Sequence, residues 1–173
     1  MPTSNSHNWS RRAFNSIAAL PLFVSGGYAF SHENQVHTTQ PSSQPPKAEQ
    51  MSWGMAGNPM NVRRTITLVL DDQMRIAPNR LSVPLGQTWR LRAVNQGGLL
   101  HEVVLGTDEA LAAHAEWMKR FPDMAHDEPY MAHVNPDKQA DIVWHFNRPG
   151  RFGYACLLPG HFEAGMRGTL IVQ

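Results

Sequence analysis

The chain has 173 residues, 42% of them hydrophobic and 17% charged, and its 15 basic and 14 acidic residues leave a net charge of +1. That length suits one domain plus appendages, and the near-neutral balance without a basic tract excludes an electrostatic nucleic-acid binder. The single cysteine, Cys156, cannot form an internal disulfide, so cysteine usage alone assigns no redox compartment.

At the N-terminus, Ser10-Arg11-Arg12-Ala13-Phe14 precedes an apolar segment from Ile17 to Phe30. The pattern resembles a twin-arginine export signal. Pro21, Ser25, Gly26 and Gly27 break the apolar run, which is too short and interrupted for a good membrane span. Ala29 and Ser31 set small residues before a cleavage point near His32, and no cysteine is at hand there for a lipid. Residues 1–31 are therefore expected to be a signal peptide, and the mature protein periplasmic without stable membrane insertion. The competing reading is an uncleaved anchor or a chance Arg-Arg pair.

Residues 32–62 read as a disordered linker. His32 to Gln50 is rich in Gln, Ser, Thr and Pro and has too few large apolar residues to fold. Met51, Met55 and Met60 follow. With His32 and His37 they would make a weak thioether-and-imidazole copper site. The plainer reading, which we favour, is that Trp53 and some of the methionines pack on the domain.

The folded domain is expected over 63–173. Thr65–Leu70 and Met74–Ala77 read as strands, and Thr88–Asn95 alternates Trp89, Leu91 and Ala93 against Arg90 and Arg92. Gly97-Gly98 ends that strand, and His101–Leu105 begins another. The period then changes. Thr107 caps a helix with Asp108 and Glu109 in its first turn, Leu111, Ala115 and Met118 on one face, and Pro122 as its stop. Asp123–Lys138 reads as a polar stretch; strands resume at 141–146, 150–155 and 169–172. Short strands with regular turns and one helical insertion predict an all-β fold, an antiparallel Greek-key sandwich.

The chemistry concentrates in Cys156-Leu-Leu-Pro-Gly-His161-Phe-Glu-Ala-Gly-Met166. A thiol, an imidazole and a thioether at this spacing form a soft ligand set, and His101 supplies a second imidazole. Two His, one Cys and a weak axial Met suit a redox-active copper ion. Taken singly, each residue has a bland reading: a core thiol, a loop histidine, a packed methionine. Zinc held with Glu163 and a catalytic Cys-His pair are the lesser alternatives.

The stretch 95–106 with His101, and 154–172 with Cys156, His161 and Met166, resemble the two signature regions of cupredoxins, the plastocyanin and azurin group. The resemblance covers roughly residues 64–173. His101-Glu102, Asp127-Glu128-Pro129 and the Cys156 loop resemble, more narrowly, periplasmic cupredoxins associated with bacterial copper tolerance. By this resemblance His101, Cys156, His161 and Met166 hold one type 1 copper in a cupredoxin-like sandwich. Many electron-carrying members place Asn or Ser after the first His and a hydroxyl residue after the Cys, locking the two ligand loops together. Glu102 and Leu157 stand there instead, and a leucine side chain cannot make that bond.

The insertion holds Met118, Met124, His126, Met131 and His133. It reads either as an auxiliary site for additional, weakly bound copper or as a helical flap whose methionines pack. His145 receives no role. No His-x-His pair of the kind trinuclear copper oxidases need is present, so an enzyme is not expected. Two functions compete: a periplasmic copper-tolerance protein that binds or relays copper ions, and an electron carrier that docks with a redox partner protein.

Overall fold

The computed structural model describes residues 48–122 and 126–173. The export signal, its cleavage point, His32, His37 and Met124 lie outside the described residues.

Two sheets face each other. The first runs β1 (Gln50–Met51), β2 (Gly54–Ala56), β9 (Gln139–His145), β6 (Thr88–Asn95), β3 (Val62–Asp71), β4 (Arg75–Ala77). The second runs β5 (Arg80–Val83), β11 (Arg167–Val172), β10 (Gly150–Ala155), β7 (His101–Gly106), β8 (Met131–Val134). The sandwich is not wholly antiparallel: β3 pairs parallel with β6, and β5 with β11. Leu68, Leu70, Leu91, Ile142 and Trp144 from the first sheet, with Phe146 just past β9, meet Val103, Leu105, Tyr154, Leu170 and Val172 from the second. Burial of this kind, worth roughly 1.5–3 kcal/mol per large apolar side chain, is what holds the layers together.

The helix α1 (Asp108–Arg120) forms as its pattern requires. Thr107 accepts the Ala110 N–H at 3.1 Å, and Leu111, Ala115 and Met118 are buried. They cover the outer face of the second sheet and make a second, smaller core with Val104, Met131, Ala155 and Leu157. Strand β7 is thereby buried on both faces, which explains why all six of its residues are inaccessible.

The fold also begins earlier than the sequence indicated. Residues 50–56, expected in the linker, form β1 and β2, and β2 pairs with β9. Trp53 is buried, its carbonyl accepts the Trp144 indole N–H at 3.0 Å, and its ring meets Tyr130 edge-on. Gly54 is needed here because a Cβ would stand 2.3 Å from the Trp144 indole nitrogen. These strands are too short, and too poor in β-branched residues, to show a period. Strand β8, within the stretch read as polar, was hidden the same way: only four residues pair with β7.

Candidate metal centre

Three side chains from two separate stretches of the sequence converge at one end of the sandwich. His101 opens β7, Cys156 follows β10, and His161 lies in the loop that returns to β11. Their donor atoms all lie within 4.8 Å of one another. His101 Nδ1 is 3.3 Å from His161 Nδ1, and Cys156 Sγ is also 3.3 Å from His161 Nδ1. His101 and Cys156 are fully buried, and His161 is half-buried.

The return loop is built by its backbone. Cys156 N–H donates to the Met166 carbonyl at 3.0 Å, and Met166 N–H donates to the His161 carbonyl at 3.1 Å. The His161 N–H closes a turn on Leu158 O. Gly160 sits at φ 88°, a left-handed conformation that favours glycine. Met166, the fourth residue picked out in the sequence, is fully buried and bonded through its backbone to both Cys156 and His161.

Burial pushes the Cys156 thiol up to about 12, although the backbone N–H groups of Glu102 and Leu158 pull it back. At neutral pH it therefore keeps its proton unless a cation displaces it. Burial also holds His161 below the ordinary imidazole value, helped by the neighbouring His101, so its nitrogen is free to ligate. A neutral His161 imidazole beside a displaceable thiol proton, with His101 facing both, fits a soft metal ion well. Glu163 does not join them. Its carboxylate accepts the Gly160 N–H at 3.0 Å and pairs with Lys119 at 2.7 Å, which removes the carboxylate a Cys-His-carboxylate zinc site would need.

As the sequence indicates, the Leu157 side chain makes no bond between the ligand loops, and the partners around the centre differ from the common pattern. The ligand loops are locked through the backbone: Leu157 N–H donates to Glu102 Oε1 at 2.9 Å. The side chain on Leu157 is irrelevant to that bond and instead fills the second core. Glu102 is fully buried, and burial raises its carboxyl above the ordinary range, against the opposing pull of Leu157 N–H, His133 and His126. Its Oε2 lies 3.0 Å from His133 Nε2, close enough to be an ion pair, yet it accepts no aligned hydrogen bond. The contact is electrostatic.

The insertion residues divide. Met118 and Met131 are buried in the second core and serve packing. His126 and His133 stand with their rings 5.8 Å apart, and His126 Nε2 lies 2.9 Å from Nε2 of His114, which sequence reading left out of the set. Asp72 was missed altogether: its Oδ1 is 3.1 Å from His101 Nε2. It lies in a tight turn 29 residues earlier, and no local pattern marks it. His145 is only partly exposed and bonds Thr88 at 3.0 Å, away from the centre.

Comparison with known proteins agrees with this geometry. Residues 64–173 match the family described as copper binding proteins, plastocyanin/azurin family. The chain is 43% identical over 121 residues to the copper-resistant cuproprotein CopI of Rubrivivax gelatinosus, covering 70% of this chain and 73% of that protein. It is 31% identical over 164 residues to CopI of Pseudomonas aeruginosa, covering 76% and 88% respectively. Among solved structures, auracyanin B superposes with a TM-score of 0.56 at 29% identity, covering 65% of this chain and 90% of that one.

Proposed function

The chain belongs to the plastocyanin/azurin family of copper-binding proteins, and from that premise we propose that it protects the periplasm from copper by binding the ion and passing it on with a change of oxidation state. It is a copper protein related to CopI and not an enzyme. The observation that carries the reading is the convergence of His101, Cys156 and His161 donor atoms within 4.8 Å, with the thiol buried. These three, with Met166, would hold one type 1 copper. Bound there, copper supplies a one-electron couple. Cys156 would give up its proton to hold the ion, His101 is shut away from water, and half-buried His161 would be the ligand nearest the surface.

Tolerance, as distinct from electron carriage, is supported by the likeness to copper-resistant proteins and by the histidines gathered at the insertion. His126 and His133, with His114 beside His126, would form a weaker auxiliary copper site, while Met118 and Met131 are taken up in the second core. The twin-arginine pattern supports export to the periplasm. A second reading, an electron carrier docking with a redox protein, is favoured by Leu99 and Leu100, which are 48% and 40% exposed just before His101.

The test is the visible and paramagnetic-resonance spectrum of the Cu(II)-loaded protein beside Cys156→Ala. A strong thiolate-to-copper band that disappears in the variant is expected. A weak spectrum indifferent to Cys156 would sink the type 1 site. Growth of a deletion strain on copper then separates tolerance from electron carriage.

A further inference from the structure

We propose that Asp72 is the positioning residue that fixes the tautomer and donor strength of His101 and so biases the centre toward its oxidised ion. The proposal rests on reading the centre as a copper site. It concerns a contact between the two sheets: Asp72 lies in the turn between β3 and β4, and His101 opens β7.

The turn does not need the Asp72 side chain. Asp71 builds it, accepting the N–H groups of Gln73 and Arg75 through its carboxylate and that of Met74 through its carbonyl. Asp72 instead turns its carboxylate to the loop leading into β7. Oδ2 accepts the Gly98 N–H at 2.7 Å, and Oδ1 accepts the Leu99 N–H at 3.2 Å. Oδ1 also lies 3.1 Å from His101 Nε2. Gly97 leaves the room for this: a Cβ there would stand 2.0 Å from Oδ1. Both carboxylate oxygens face N–H donors, the hydrogen-bonding pattern of an ionised carboxylate.

The consequence for His101 follows from its inventory of protons. A carboxylate can only accept, so His101 must carry its hydrogen on Nε2. Nδ1 then presents a lone pair, and Nδ1 is the atom that faces His161 and, beyond it, Cys156. The ring is fully buried, so no water competes for the Nε2 proton. A negative acceptor draws that proton outward and makes Nδ1 a stronger donor. A stronger donor favours the more highly charged ion, so the reduction potential falls relative to the same centre with a neutral acceptor.

Asp72→Asn keeps an acceptor oxygen and removes the charge. Loss of an outer partner of a ligating histidine typically costs 10–100-fold in metal affinity. We expect Cu(II) binding to weaken by about tenfold with Cu(I) binding little changed, which raises the potential by about 59 mV. Nitrogen-15 NMR of the copper-free wild type gives a reading independent of the metal and of any variant. It should show His101 as a single tautomer with a slowly exchanging Nε2 proton. A wild type with the thiolate band whose Asp72→Asn variant keeps its potential and Cu(II) affinity overturns the proposal. So does mixed or rapidly exchanging His101 in the copper-free protein, even if Asp72→Asn fails to fold. A wild type with no thiolate band but a fixed Nε2–H His101 would instead remove the copper reading and leave the positioning role standing.

Discussion

Strand β7 carries two different chemistries on its two faces. His101 points between the sheets, where Cys156 and His161 bring their donor atoms within 4.8 Å. Glu102, the next residue, points the other way, toward His133 on β8. The inner cluster is closed by backbone bonds from Met166, Leu158 and Leu157, and each ligand has one place to be. The outer cluster is strung along Glu102, His133, His126 and His114, and its histidines sit on three segments: helix α1, strand β8 and the stretch between them. Adjacent residues on one strand thus feed a rigid centre and a loose one. The difference lies in how many chain segments lock each donor, since both clusters are rich in donors.

The comparison breaks if the two clusters do not separate on mutation. Replacing His126 and His133 together by Ala should abolish any copper bound beyond the first equivalent and leave the thiolate band unchanged. Equilibrium dialysis with the visible spectrum checks both. A band altered in energy or intensity would show that the outer cluster belongs to the inner one. Helix α1 offers a smaller effect. Leu111 is buried against Gly106 and Gly153, and Leu111→Ala should cost about 2–5 kcal/mol in urea unfolding of the copper-free protein. The band should survive in the folded fraction, because the ligands hang on the sheets and not on the helix.

The inner centre was largely legible in the sequence because its loop is local. Cys156, His161 and Met166 lie within eleven residues, and Gly and Pro between them announce the turn. Helix α1 was legible for a similar reason, its cap, period and stop all lying in one run. What escaped depends on long-range pairing. Trp53 gives no sign that its carbonyl will meet an indole 91 residues later. Asp72 looks like any turn aspartate until the sheets close. Strand β5 pairs with β11 across most of the domain, and its Arg80-Leu-Ser-Val83 is too short to declare itself. Glu102 lies between these cases. Its place after the first His marked it out, but its bond to Leu157 N–H goes to a backbone group, which no side-chain pattern encodes.

The subtlest way to sharpen the comparison is a difference in pH dependence at Glu102. Its carboxyl is raised by burial, so the native state holds that proton more tightly than the unfolded chain does. The resulting stability is complete in acid below the ordinary carboxylate range and is lost as pH rises through the raised native value. His114 and His161 act in the opposite sense. Burial lowers both, so the unfolded chain binds their protons more tightly, and each adds stability as pH rises until about 6.5, the ordinary imidazole value. In wild type the two trends oppose each other across weak acid. Glu102→Gln removes the first and keeps an amide oxygen for Leu157 N–H. The copper-free variant should therefore gain more stability than wild type between about pH 5 and about pH 7, measured by urea unfolding at each. Parallel gains would mean that water reaches Glu102 beneath the helix, and the outer cluster would then be a solvated surface with no buried carboxylate at its base.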